Sequence, residues 1–156
     1  MLGSPVRYNG TDLLIDHPLL KQWQQQNRLV SICPEIAGGL ATPRAPAEII
    51  QGDGDSVLLK QTTVVNSEDI NVTQAFISGA EKALQIALDS SCIVAILTER
   101  SPSCGSSIIY DGSFSGVRKT GMGVTSALLH QNGIRVFNQH QIDDLGAFLS
   151  KEANIT

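Results

Sequence analysis

The stretch IVAILTERSPSCG, residues 93–105, places a five-residue apolar run directly before a loop that contains Cys104. A short continuous apolar run of this kind is typical of a strand that is buried on both faces of a parallel sheet. In open α/β sheets the ligand crevice lies beyond the carboxyl ends of the strands. The stretch therefore predicts a central strand and puts the thiol of Cys104 at the sheet edge where ligands bind.

Strands and helices alternate on both sides of this stretch. Strands are predicted at residues 29–32 and 134–137, a hairpin at 57–65, a short extended piece at 108–110 and a long irregular loop at 35–56. Helices are predicted at residues 17–26, 72–89, 120–133 and 139–151. This alternation predicts one α/β domain over residues 1–156, with a Rossmann-like parallel sheet and helices on both faces. The first strand of that sheet is apparently missing, because MLGSPVRYNG at residues 1–10 has the character of a loop that follows a strand.

The composition excludes several classes of protein. A net charge of -4 without a Lys/Arg cluster does not provide a surface for nucleic acid. The sequence contains no apolar run of the roughly 18 residues that a membrane-spanning helix needs. The start also lacks the pattern of a secretory signal. We therefore expect a cytoplasmic protein whose three cysteines are free thiols.

Two of the cysteines occupy equivalent places. Cys33 and Cys104 each follow a predicted strand and each lies close to a proline, whereas Cys92 begins an apolar run and is expected to be a core residue. Thiols at a ligand edge serve as nucleophiles or as ligands of a soft metal. The three histidines lie in predicted helices, so a cysteine–histidine hydrolase has weak support; they are His17, His130 and His140.

Metal sites differ in how well they match these cysteines. A closed zinc site would need CxxC-type pairs, which the sequence lacks. An iron–sulfur cluster accepts thiolates from separate loops, although two cysteines are one fewer than even a three-ligated cluster requires.

Further candidate residues lie around these cysteines, and each has an alternative role. Glu35 is a candidate general acid or base, or alternatively a partner in an ion pair. Ser101 and Ser103 are candidates for contact with a polar substrate, or alternatively caps of a turn. The other candidates for substrate contact are Arg7, Tyr8 and Arg44, which could equally be a solvated charge or a packed ring.

Two glycine-containing motifs carry weaker signals. GDGD at residues 52–55 predicts a turn, since it lacks the spaced acidic residues of a calcium loop. TGMGVTS at residues 120–126 resembles an anion-binding loop at the start of a helix, with fewer glycines than a dinucleotide motif requires.

Several motifs together resemble one family. LGSPVRYNG, CPEIAGGLATPRAPAEI, ERSPSCGSSIIYDGSFSG and GVTSALLHQNGI look like the thiouracil desulfidase-like proteins, and the resemblance extends to about Phe137. It implies desulfuration of a small thiolated pyrimidine by a 4Fe-4S cluster that three cysteines hold. In that reaction the fourth iron binds the substrate sulfur and no net oxidation or reduction takes place. By this resemblance Cys33 and Cys104 match two ligands, Glu35 matches the acid or base, and Ser101 or Ser103 matches a substrate contact.

The resemblance also implies a ligand that this sequence does not contain. Members of the family begin with a strand that ends in a cysteine directly before the residue matched by Met1. We therefore expect the third ligand upstream of Met1 in a longer product, because Cys92 would lie at the wrong end of its strand. Two other functions stay open: a binding module whose glycine-rich loops hold an anion or nucleotide, and a thiol carrier of redox equivalents or persulfide.

Overall fold

The computed structural model describes residues 1–153, which form six helices and six short strands. The elements in chain order are α1 (Pro18–Gln25), α2 (Pro34–Ala37), β1 (Ala47–Ile49), α3 (Gly54–Leu58), β2 (Val64–Asn66), α4 (Thr73–Asp89), β3 (Val94–Leu97), β4 (Ile108–Tyr110), β5 (Arg118–Thr120), α5 (Val124–Gln131), β6 (Arg135–Asn138) and α6 (Ile142–Ala153). The mixed α/β class expected from the sequence is confirmed. None of the helices within residues 1–153 has the length and apolar character needed to cross a membrane.

The strands pair in three separate sheets of two strands each within the described residues. β3 and β6 are parallel, with Val94 opposite Arg135 and Leu97 opposite Asn138. β1 pairs with β2 and β4 pairs with β5, both antiparallel. Of the Rossmann-like parallel sheet that we expected, residues 1–153 therefore show one parallel pair.

The predicted strand at residues 29–32 does not form. The backbone groups of these residues make no hydrogen bonds within the part of the chain that the structure describes. Leu29 nevertheless packs against the same apolar cluster as Val94 and Ile96 of β3. The edge of β3 opposite β6 has no neighbouring strand among residues 1–153, and its four residues are half-buried instead of buried on both faces. The apolar pattern was read correctly, but a strand also needs a hydrogen-bonded partner.

The predicted hairpin at residues 57–65 is also wrong. Residues 54–58 form α3, because the Asp53 carboxylate caps the helix and accepts the backbone N–H of Ser56 at 3.0 Å. β2 then pairs with β1 instead of with residues 57–60. The expected long loop at residues 35–56 thus contains most of α2, all of β1 and the start of α3.

The core has three apolar clusters. One lies between α4, α5 and the antiparallel strands, a second joins α1 and α6 to β6, and a third lies between the end of α4, α5 and the face of β3 formed by Ala95 and Leu97. The buried residues of the first two clusters are Ile49, Val57, Val64, Phe76, Ala80, Ile109 and Val124, then Leu20, Trp23, Phe137, Ile142 and Leu145.

A pair of glycines lets α2 lie directly on α4. A Cβ atom at Gly38 would overlap the backbone carbonyl of Ala75, and one at Gly79 would overlap the carbonyl of Pro34. The two backbones are therefore closer than any side chain would allow. This contact fixes the position of Cys33 and Glu35, which lie at the start of α2.

Candidate functional site

Two loops that are far apart in sequence meet at one place. Cys33 precedes α2, and Cys104 lies in the loop that follows β3. The hydroxyl of Ser101 donates a hydrogen bond to Glu35 Oε1 at 3.3 Å and so joins the two loops directly. Glu35 and Ser101, both candidates from the sequence, are therefore in direct contact.

An arginine holds the Glu35 carboxylate from the other side. Arg44 Nε donates to Glu35 Oε2 at 2.8 Å, and both side chains are largely buried. Arg44 Nη2 also donates to the Val6 carbonyl at 3.1 Å, and the thiol of Cys33 donates to the same carbonyl at 3.8 Å. Glu35 therefore has an ion-pair partner, which is Arg44. The Val6 carbonyl, which the sequence did not reveal, links Cys33 to Arg44.

The Cys104 thiol lies in a setting that favours its neutral form. Burial, followed by the nearby charge of Glu35 and the proximity of Cys33, raises the pKa of Cys104 to about 12. The hydroxyl of Ser103 and the backbone N–H of Thr98 oppose this by donating hydrogen bonds to the sulfur. A reactive redox or persulfide-carrying thiol needs a lowered pKa, so this geometry does not favour that alternative. A bound metal ion would instead hold such a sulfur as thiolate.

The two candidate serines have different surroundings. The hydroxyl of Ser101 accepts the backbone N–H groups of Ser103 and Cys104, each at 3.1 Å, while it donates to Glu35. Ser103 is buried beneath the loop, where its hydroxyl lies 2.8 Å from Thr125 Oγ1. Of the two serines, only Ser101 contacts Glu35.

The glycine-rich start of α5 supports this loop instead of an open anion site. The backbone N–H groups of Val124 and Thr125 donate to the carbonyls of Pro102 and Ser103, both at 2.8 Å. The hydroxyl of Ser126 donates to the Cys104 carbonyl, also at 2.8 Å. Donors that a bound anion would need are thus already used, which disfavours the anion-binding alternative.

Glu99, to which the sequence analysis assigned no role, organises the same loop. Glu99 is buried and accepts the backbone N–H groups of Ser106, Ser107 and Ile108 at 2.8 to 3.0 Å. Burial alone would raise the pKa of Glu99, but the hydrogen bonds from Ser106, Ile108 and Ser107 lower it to about 2. The sequence signal that could have revealed this role is a carboxylate between a predicted strand and a loop rich in serine.

The other candidates lie at the edge of the site or away from it. Arg7 and Tyr8 are exposed; the Tyr8 carbonyl accepts the backbone N–H of Arg44 at 2.7 Å, and Arg7 donates to Thr11 at 3.5 Å. Cys92 packs against the third apolar cluster at the start of β3, as expected for a core residue. Substrate contacts by Arg7 and Tyr8 stay a prediction.

Two cysteines at the site provide the type of ligand that an iron–sulfur cluster needs, and they would supply two of its ligands. Cys33 and Cys104 are soft thiol donors, and the proximity of Cys33 contributes to the raised pKa of Cys104. Within residues 1–153, however, no group of three or more His, Cys, Asp or Glu side chains is arranged to hold a metal ion. The amino group of Met1 interacts electrostatically with Cys104, so the first residue of the chain lies on the side of the site that carries this thiol.

The profile of a family described as 2-thiouracil desulfurase matches residues 1–141. The chain belongs to this family. It is 41% identical over 143 residues to the uncharacterized protein YbbK of Bacillus subtilis (strain 168), a match that covers 92% of this chain and 93% of YbbK. Among solved structures, the [4Fe-4S]-dependent thiouracil desulfidase TudS is similar, with 43% identity and a TM-score of 0.86. That match covers 96% of this chain and 92% of the TudS chain. Membership of the family confirms the resemblance seen in the sequence motifs.

Proposed function

We propose that this chain is a desulfidase that replaces the sulfur of a small thiocarbonyl compound, such as 2-thiouracil or 4-thiouracil, by oxygen. The observation that carries the proposal is the hydrogen bond between Ser101 and Glu35, which unites the two thiol-bearing loops in one site. Water supplies the oxygen and its protons, and the sulfur leaves as sulfide, so no external oxidant or reductant is needed. The desulfurase family and the similarity to TudS support this reaction.

Cys33 and Cys104 are the residues that would hold a 4Fe-4S cluster. When bound, such a cluster supplies a soft Lewis acid that attracts the sulfur of the substrate and makes the thiocarbonyl carbon more electrophilic. As part of the same proposal, a cysteine joined to the amino nitrogen of Met1 would provide the third thiolate, since the Met1 amino group interacts electrostatically with Cys104. A reducing cytoplasm, where we propose that the enzyme works, keeps these thiols free.

Glu35 is proposed to accept a proton from the attacking water and to return it to the departing group. Its carboxylate is held at one oxygen by Arg44 and at the other by Ser101, so its orientation is fixed before substrate arrives. Ser101 holds that carboxylate and is the better placed of the two serines to contact the substrate. Ser103 would act from beneath, through its hydrogen bond to the sulfur of Cys104.

Arg7 and Tyr8 are proposed to contact the pyrimidine from the exposed edge of the site. Both side chains are exposed, and the backbone of Tyr8 is tied to Arg44. A planar heterocycle with carbonyl and N–H groups suits an arginine donor and an aromatic ring. We expect Arg7→Ala and Tyr8→Ala to raise KM more than they lower kcat.

Anaerobic loading with Fe²⁺ and sulfide, followed by iron counting and a desulfuration assay on 2-thiouracil, tests the proposal. The protein is measured as it is and with an added amino-terminal extension that ends in cysteine directly before Met1. We expect about four irons per chain and sulfide release when three thiolates are available. Little iron in both forms would overturn the cluster-dependent reaction.

Cysteine variants localise the metal. In the protein extended by a cysteine before Met1, Cys33→Ala and Cys104→Ala are each expected to abolish iron binding and turnover, because each removes a ligand. Cys92→Ala is the matched control, since Cys92 packs in the core and does not face the site. Equal iron content in all three variants would contradict the ligand assignment.

A further inference from the structure

Glu99, which is neither a proposed ligand nor a catalytic group, holds the loop that carries Ser101 and Cys104. One carboxylate oxygen, Oε1, accepts three consecutive backbone N–H groups, from Ser106 to Ile108. The other, Oε2, accepts the hydroxyl of Ser106 at 2.6 Å and the Asn138 amide at 2.7 Å. The far end of the loop is thus fastened to the end of β3 and to β6.

The charge of Glu99 is balanced by dipoles alone. In residues 1–153 no Lys, Arg or His nitrogen lies within 4.0 Å of its carboxylate. Because a buried carboxylate without a cation depends on its hydrogen-bond donors, the loop must be closed for this charge to be accommodated. Conversely, without the charge the three convergent N–H groups would share a neutral and therefore weaker acceptor.

We propose that Glu99 is a positioning residue that closes this loop and thereby sets the distance between the Cys104 sulfur and the Cys33 sulfur. The metal-binding part of this inference rests on the proposed function. The loop-closing part concerns the metal-free protein and is measured separately.

Glu48 provides a matched control elsewhere in the fold. It is buried to the same extent as Glu99, and it also accepts backbone N–H groups from a loop, those of Gly112 at 2.9 Å and Phe114 at 3.1 Å. That loop joins β4 to β5 and carries none of the proposed site residues. A general effect of neutralising a buried carboxylate should therefore appear equally in Glu48→Gln.

Glu99→Gln is the decisive variant, because glutamine keeps the shape and removes the charge. In the metal-free protein we measure amide hydrogen exchange at residues 106–108 and the alkylation rate of Cys104 by mass spectrometry. We expect both rates to rise about tenfold or more, while Cys92 alkylation and the exchange of α4 stay unchanged. After anaerobic loading of the extended form with Fe²⁺ and sulfide, we expect Glu99→Gln to have a lower iron content and an altered absorption and electron paramagnetic resonance spectrum.

Each result decides one part of the inference. Unchanged exchange and alkylation in Glu99→Gln, or the same changes in Glu48→Gln, would overturn the loop-closing role. A loosened loop with full iron content and an unaltered spectrum would overturn the metal-positioning role. If the extended protein with three thiolates takes up no iron, the proposed function fails, and the exchange and alkylation rates of the metal-free protein still decide whether Glu99 closes the loop.

Ser106→Ala covers the case in which Glu99→Gln does not fold. It keeps the carboxylate and removes only the hydroxyl that donates to Oε2. We expect a smaller rise in the same two rates. No rise in a folded Ser106→Ala protein would count against the inference.

Discussion

The two loops that carry the thiols are held in place by different kinds of interaction. The Cys33 segment depends on the ion pair between Glu35 and Arg44 and on the glycine contact between α2 and α4. The Cys104 loop depends on one uncompensated carboxylate, Glu99, and on hydrogen bonds to the start of α5. The Cys33 segment should therefore be sensitive to loss of the Arg44 cation and to steric overlap at the glycine contact. The Cys104 loop should be sensitive to acid and to loss of hydrogen-bond acceptors.

The largest expected effect comes from breaking the ion pair in the Cys33 segment. Arg44→Met leaves the largely buried Glu35 carboxylate without its cation and should lower the free energy of unfolding by about 3 kcal/mol. Urea denaturation measures this loss, and alkylation of Cys33 should increase more than that of Cys104. Lys21→Met is the control, because its ion pair with Asp16 is exposed and should be worth less than about 1 kcal/mol. Equal losses in the two variants would contradict the comparison.

Acid should weaken the Cys104 loop. The pKa of Glu99 lies at about 2, below its ordinary value of 4.5, so its contribution is fully present above about pH 4.5. It is lost as the pH falls from 4.5 towards 2, and it amounts to roughly 3 kcal/mol. Denaturation at a series of pH values should show this slope in the native protein and a shallower one in Glu99→Gln. Parallel slopes would show that other carboxylates dominate.

Steric overlap between α2 and α4 should destabilise the Cys33 segment somewhat less than loss of the Arg44 cation does. Gly79→Ala introduces a methyl group that overlaps the Pro34 carbonyl, so α2 must move away from α4. We expect a loss of about 2 kcal/mol in thermal or urea unfolding, together with reduced iron binding. Gln74→Ala, at an exposed position of the same helix, should be neutral or slightly stabilising. A neutral Gly79→Ala would mean that the contact between the helices is not tight.

The smallest effect is expected at the start of α5. Ser126→Ala removes the hydroxyl that donates to the Cys104 carbonyl and should cost about 1 kcal/mol. Ser113→Ala, whose exposed hydroxyl bonds to Asp111, should change the unfolding free energy by less than about 0.5 kcal/mol. If Ser126→Ala matches this control, α5 supports the loop through its backbone alone.

The long regular elements were predictable because their patterns are local. The apolar period of α4 and the continuous run of β3 are visible in sequence, and both elements form close to the expected residues. The strands β1, β2, β4 and β5 have three residues each, too few to show a period. The predicted strand at residues 29–32 failed for another reason, since its pattern was apolar but no partner strand lies beside it in residues 1–153.

The sequence by itself determined the α/β class, the two cysteines at the loops and the family to which the chain belongs, because these follow from local pattern and from motifs. Only the tertiary structure decided that Ser101 contacts Glu35, that Arg44 neutralises it and that Glu99 closes the Cys104 loop. The physical reason is that a carboxylate has no fixed partner in the sequence. Its role depends on which donors the folded chain brings within about 3 Å of it.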